Sequence, residues 1–263
     1  MRAPLLALLS DFGHVDPYVG VMKAVVLARC PDLPIVDLTH EVPPQDLRWG
    51  AFLLRGALPY LPTGSVVLAI VDPGVGGARR LLCAEAEGRL LLGPDNGLLP
   101  AALAGCAARW TALDPARGFG LGRPSATFHG RDLFAPAAAR LAAGVSVREL
   151  GDEIADPVRV EAPSDGGPGT KNAGRIAVVD RYGNLISDLA PGDDGWEARD
   201  AVLELAGRWT LRPVRTYSDV ASGELLAYVG SYGTYEIAVR DGSAAERLQL
   251  GAGASLVLRR GES

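Results

Sequence analysis

Short, nearly unbroken apolar runs recur from the start of the chain to about residue 155: Leu5–Leu9, Ile35–Leu38, Val66–Val71, Leu81–Ala84, Leu90–Leu92 and Trp110–Leu113. Runs this short with little polar alternation read as strands covered on both faces, as in a sheet between two layers of helices. Between them, Tyr18–Ala28, Leu47–Leu58, Leu98–Leu103 and Leu133–Ala143 carry helical spacing, and Pro136 fits the last only near its first turn. The alternation predicts an α/β domain over residues 1–161 with a mostly parallel sheet.

The pattern then breaks. Residues 162–174 (APSDGGPGTKNAG) are all small, polar or helix-breaking, which reads as a linker. Beyond it, Arg175–Asp180, Leu185–Leu189, Ala201–Leu205, Trp209–Leu211, Leu225–Val229, Tyr235–Val239, Leu248–Leu250 and Ser255–Leu258 read as short strands between Gly-rich turns. Residues 175–263 are therefore expected to form a small all-β, barrel-like domain.

Composition narrows the function. A chain of 263 residues sits near the size at which one core stops growing, and 48% hydrophobic against 22% charged residues excludes a disordered chain. A net charge of −5, a pI near 5.3 and the absence of any Lys/Arg run exclude a nucleic-acid backbone or an anionic membrane surface as partner. No apolar run reaches membrane-spanning length, and Leu5–Leu9 is cut off by Ser10-Asp11 before it could serve as a signal-peptide core, so a cytoplasmic location is expected. Cys30, Cys83 and Cys106 lack CxxC or His-paired spacing and read as reduced core thiols.

In open α/β sheets ligands gather beyond the carboxyl ends of the strands. Asp11 follows the first strand, and Asp72 follows the third in Asp72-Pro-Gly-Val-Gly-Gly. Each also suits a plain turn. The Asp72 loop has neither Gly-Lys-Ser/Thr nor GxGxxG, which disfavours phosphate cradling, but Arg79 follows at a distance that allows it to pair with Asp72. His129, in Thr127-Phe128-His129-Gly130-Arg131-Asp132, is a candidate base or water-positioning group, against a His merely satisfied by loop backbone. His14 and His40 read as turn or packing residues, and Asp180–Asn184 and Gly230–Gly233 as turns.

Taken in order, SDFG, Asp16-Pro-Tyr-Val-Gly-Val-Met-Lys23, Asp37-Leu-Thr-His40, VDPGVGGARR, Pro94-Asp-Asn-Gly-Leu98, TFHGRDLFAP, DRYGN and GSYGTYEIAV with Gly242-Ser-Ala-Ala resemble the S-adenosyl-L-methionine hydroxide adenosyltransferase family, whose fold includes the fluorinase and chlorinase enzymes. The resemblance runs from Leu6 to about Leu258. It implies hydrolysis of S-adenosyl-L-methionine to adenosine and L-methionine by water attacking the ribose 5′ carbon, with no cofactor and no metal. It also implies a homotrimer whose sites lie between the first domain of one subunit and the second domain of its neighbour. The family's positions around the water match Asp72, Arg79 and His129. Those for substrate match Asp11 at the ribose hydroxyls, Asp16 in the same loop, Thr127 and Phe128 along the nucleoside, and Tyr182 as a stacking face. Asp180, Asn184 and Ser231 match the methionine contacts, and Glu236 and Val239 the positions that read the adenine edge.

The chain departs from the halogenases, which carry Tyr-Ser where it has His129-Gly130 and hold a long insertion without counterpart here. Tyr182 stands where Phe is usual, and Ile186-Ser187-Asp188 where a Thr-Asn ending is expected. Two alternatives come from the residues themselves. One is a metal-dependent hydrolase built on Asp11, Asp16, Asp72 and His14. The other is a nucleoside-binding protein that keeps the pocket without turnover.

Overall fold

The computed structural model describes residues 3–160, 172–191 and 201–260, and the chain divides into two compact units, Met1–Ala162 and Pro163–Ser263. Most of the expected linker, 162–171, lies outside the described residues, while Ala173 and Gly174 already belong to a strand.

The first unit holds a seven-stranded sheet of β1 (Leu6–Ser10), β2 (Ile35–Thr39), β3 (Val66–Ile70), β4 (Leu81–Ala86), β5 (Arg89–Pro94), β6 (Ala108–Leu113) and β7 (Gly151–Ile154), ordered β2-β1-β3-β5-β4-β6-β7. Side chains of β1 and β3 alternate between two cores. Leu6, Leu8, Val66, Leu68 and Ile70 face one, and Ala7, Leu9, Val67, Ala69 and Val71 the other, which explains apolar runs without polar alternation. α1 (Tyr18–Leu27) and α4 (Ala135–Ala142) cover the first core, α2 (Leu47–Ala57) and α3 (Leu98–Ala102) the second.

The expectation of a mostly parallel sheet is corrected. β2, β1, β3 and β5 pair in parallel, whereas β5–β4, β4–β6 and β6–β7 are antiparallel, so the sheet is mixed. The cause is local. Only Glu87 and Gly88 join β4 to β5, both with positive φ (50° and 70°), the two-residue turn that matches strand twist in a hairpin and is far too short for a parallel crossover. The helix expected over Leu133–Ala143 begins as a π-turn at Gly130–Phe134 before α4 takes over.

The second unit is an antiparallel sheet of β8 (Ala173–Val179), β9 (Leu185–Ser187), β10 (Ala201–Leu205), β11 (Trp209–Leu211), β12 (Leu225–Val229), β13 (Tyr235–Val239) and β14 (Ser255–Arg260), ordered β11-β10-β14-β8-β9-β13-β12. Its edges nearly meet. Val214, just past β11, donates its amide to the Ala227 carbonyl on β12 at 2.8 Å, and Pro213 bridges to the same residue, curling the sheet into a barrel around Leu203, Tyr235, Ile237 and Leu256. The strand expected over Leu248–Leu250 is instead the end of a short helix, α5 (Ala244–Leu248). Ser243 caps it by accepting the Glu246 amide, and Gln249 stops it with a left-handed φ of 54°. Among the described residues no helix is long and apolar enough to cross a membrane.

Candidate active site

β3 delivers its last buried residues to the carboxyl edge of the sheet, and Asp72 follows at the start of a loop folded by the Val75→Asp72 and Gly77→Gly74 backbone bonds (3.2 and 3.0 Å). Gly76 has φ 78°, and a Cβ there would overlap the Ala126 carbonyl oxygen, so only glycine lets this loop lie against the segment that carries His129. That approach places Arg79 between the two. Its Nε donates to both Asp72 oxygens at 3.0 Å, its Nη2 donates to Asp72 Oδ2, and the same Nη2 donates to His129 Nδ1 at 3.0 Å. The side chains of Arg79 and Asp72 are only 10% and 6% exposed, so this is not a solvated surface pair. Phe134 lies under the guanidinium, 5.6 Å from its ring centre, and excludes water from that side. A buried pair of this kind recovers little more than its own desolvation, so its contribution to stability is small and its value lies in fixed geometry.

The contact also fixes the state of His129. Arginine has no acceptor, so Nδ1 must accept, and the proton of the neutral ring sits on Nε2. Burial first, and the Arg79 cation second, push the imidazole below its ordinary range, opposed by Asp72 and Asp132, which keeps the ring neutral at neutral pH. His129 stands at the head of the π-turn, an irregularity that re-aims side chains and recurs at functional sites. Gly130 behind it packs Met22 Sδ and Phe128 Cε2 within 3.0 and 3.2 Å of where a Cβ would be.

Asp11, just past β1, is half-buried, and its Oδ2 accepts the Gln45 amide at 2.8 Å. Asp16 is exposed just ahead of α1, and Thr127 is exposed with its hydroxyl 3.3 Å from that of Ser125. Phe128 joins Phe12 and Tyr18 in a three-ring cluster with centroids 5.1–6.0 Å apart, linking the Asp11 loop to the His129 loop. The metal-ligand set of Asp11, Asp16, Asp72 and His14 does not form: among the described residues no three His, Cys, Asp or Glu converge as ligands. Asp72 is engaged by Arg79 instead, and His14 packs edge-on against His40 at 5.2 Å.

His40 does more than pack a turn. It is 1% exposed, its Nδ1 lies 2.7 Å from Ser10 Oγ and its Nε2 3.0 Å from Asp37 Oδ1, while Lys23 holds the other Asp37 oxygen at 2.6 Å. Ser10 Oγ in turn accepts the Phe12 amide at 3.3 Å, so the relay anchors the loop that carries Asp11. The spacing of Ser10, Asp37 and His40 at the ends of two adjacent parallel strands was the available signal.

In the second unit, Asp180 closes its turn by accepting the amides of Tyr182 and Asn184 and the Asn184 side-chain Nδ2 (2.9, 2.8 and 2.8 Å). A hollow of about 680 Å³, within the ~300–1,000 Å³ of small-molecule sites, is walled by Tyr182, Asn184, Tyr217, Val239, Arg240 and Asp241. Tyr182 stands 78% exposed with its ring free to stack. Ser231 is exposed on its turn, outside those walls. Glu236 is also absent from the walls: it is 5% exposed, with Oε2 accepting the Tyr228 hydroxyl at 2.6 Å and Oε1 packed where a Gly230 Cβ would be. Of the walls, sequence reasoning missed Tyr217, Arg240 and Asp241, and behind them it missed Tyr228.

Comparison with known proteins agrees along both units. The model of the SAM hydroxide adenosyltransferase N-terminal domain matches residues 6–151, and that of the corresponding C-terminal domain matches residues 174–257. The chain is 44% identical over 257 residues to the (R)-S-adenosyl-L-methionine hydrolase of Thermus thermophilus, covering 92% of this chain and 94% of the relative. It is 28% identical to a fluorinase of an Actinoplanes species, over 89% and 90%. An uncharacterized conserved protein from Thermotoga maritima superposes with a TM-score of 0.87 at 31% identity, over 97% of this chain and all of the other.

Proposed function

The chain belongs to the S-adenosyl-L-methionine hydroxide adenosyltransferase family, and from that premise we propose that it hydrolyses (R)-S-adenosyl-L-methionine to adenosine and L-methionine. The observation that carries the reading is Arg79 bridging Asp72 to a neutral His129 out of bulk water. A protein that only bound nucleoside would have no use for this arrangement.

The chemistry needs little from an acid, because the sulfonium departs as an uncharged thioether. It needs a good nucleophile, since free water, with a pKa of about 15.7, is a poor one. Asp72 keeps lone pairs beyond those taken by Arg79 and accepts one hydrogen of the attacking water. His129, with its proton on Nε2, donates to the same oxygen. One acceptor and one donor orient the water in line with the C5′–S bond, and fixed geometry of this kind supplies several kcal/mol of a barrier (about 7–11 in the best intramolecular cases). As the C–O bond forms and the C–S bond breaks, the proton passes from water to Asp72, and Arg79 offsets the charge on the oxygen. Incubation with (R)-S-adenosyl-L-methionine followed by chromatography is expected to yield adenosine and methionine in equal amounts; unreacted substrate alone would contradict the assignment.

Asp11 takes the ribose hydroxyls, with Asp16 in the same loop and Thr127 and Phe128 along the nucleoside. Tyr182 stacks on adenine, Val239 walls it, and Asp180, Asn184 and Ser231 receive the methionine part. Asp11→Ala is expected to weaken binding ten- to hundredfold, the roughly 1.5–3 kcal/mol of one charged hydrogen-bonding group, with a smaller loss of turnover. A 2′-deoxyribosyl analogue checks it: equal discrimination by wild type and Asp11→Ala would free Asp11 of this role.

The two sets of residues lie on different units, and the reading carries with it a homotrimer in which the first unit of one subunit meets the second unit of its neighbour. Light scattering is expected to give three times the chain mass, and a monomer active at full specific rate would refute this. The reaction is assigned to the cytoplasm, where the free thiols of Cys30, Cys83 and Cys106 stay reduced.

A further inference from the structure

Behind the hollow of the second unit, a buried carboxylate is tied to one of its walls. Glu236 accepts the Tyr228 hydroxyl at 2.6 Å, and the Tyr228 oxygen lies 2.7 Å from the Tyr217 hydroxyl. The Tyr228 hydroxyl gives its one hydrogen to Glu236, so its oxygen is left to accept from Tyr217. The hydrogen bonds therefore run in one direction, from the wall of the hollow to a carboxylate buried on the face of β13 opposite the barrel core. Glu236 has little freedom, because its second oxygen fills the space over Gly230 that any side chain would need. The Tyr217 and Tyr228 rings pack at 5.0 Å, with Val214 and Val220 against them. At the other end Asp219 accepts the amides of Arg215 and Thr216 at 3.0 and 3.1 Å, which fixes the backbone beneath Tyr217.

We propose that Tyr217 is a specificity-determining wall of this hollow, held in one rotamer by Tyr228 and Glu236, so that Glu236 governs affinity for the adenosyl group without touching it. An unheld tyrosine on a half-open surface would have to surrender rotamer freedom on each binding event, and the chain removes that loss in advance. The inference rests on the reading of this hollow as a nucleoside site, and it makes Glu236 a positioning residue in place of a reader of the adenine edge.

Tyr217→Phe keeps the ring and removes only the tether. It is expected to raise KM for S-adenosyl-L-methionine and Kd for adenosine about five- to tenfold, the size of one lost hydrogen bond, with kcat within about twofold. Glu236→Leu is expected to do the same, and Glu236→Gln, whose amide oxygen still accepts from Tyr228, to recover most of the loss. The double variant Tyr217→Phe/Glu236→Leu is expected to be no weaker than the worse single one, since both cut one chain. Unchanged KM and Kd in Tyr217→Phe, or effects that multiply in the double variant, overturn the proposal. If Glu236→Leu does not fold, Tyr228→Phe replaces it in the cycle with the same expectation. A wild type that makes no adenosine contradicts the proposed reaction, whereas adenosine affinity measured by calorimetry still decides on the chain of tyrosines.

Discussion

Asp72→Asn and His129→Ala are each expected to lower kcat by about two orders of magnitude or more while substrate affinity stays within about tenfold, the pattern of a proton acceptor or a water-orienting donor lost from the transition state. Asn cannot take the proton of water and presents an NH₂ group to Arg79, a second donor where the guanidinium needs an acceptor. Ala at 129 leaves the Arg79 Nη2 that now reaches Nδ1 without its acceptor, and removes the Nε2–H to which the proposed mechanism gives the orienting of water. The same account sets the acid limb of the pH profile. His129 must be neutral for Nδ1 to accept from Arg79, and burial together with the neighbouring guanidinium lowers its pKa, so kcat is expected to hold through the ordinary histidine range as pH falls and to drop only below it. Steady-state kinetics across pH checks both parts. Wild-type turnover in either variant removes that residue from the mechanism.

Arg79→Lys is expected to be nearly as damaging, with kcat lower by roughly a hundredfold, although the charge is kept. Arg79 makes its contacts through a planar fork, with Nε and Nη2 on Asp72 and the same Nη2 on His129. An ammonium on a flexible stem reaches one of these partners at a time, and the other is then free to rotate. Because the three residues act as a unit, Arg79→Lys in an Asp72→Asn background is expected to add far less than it costs alone. A lysine variant within a few fold of wild type would mean that charge alone matters, and that the fork geometry does not.

Much of the first sheet was legible because strands buried on both faces have nothing polar to interrupt them, and β1 and β3 send alternate residues into two separate cores. Strand direction was harder to see. Glu87-Gly88 is a weak hairpin signal by composition, and only its two positive φ values show that the chain reverses there. At the site, Asp72 and Arg79 stood close enough in sequence to suggest pairing, but the contact from Arg79 to His129 spans 50 residues and depends on Gly76 lying against Ala126. No local pattern carries that information. The family resemblance puts Glu236 at the adenine edge, yet it sits in Tyr235–Val239, a strand buried at every position. A lone carboxylate in such a run has to find an internal partner, and Tyr228 directly across the hairpin, on the neighbouring strand β12, is that partner.

The central claim is that water attacks C5′ of the ribose, and the mass of the product formed in ¹⁸O-water tests it most directly. The account predicts adenosine heavier by one ¹⁸O at the 5′ oxygen, alongside unlabelled methionine. Unlabelled adenosine, or release of free adenine with the label on the ribose 1′ carbon, would contradict it.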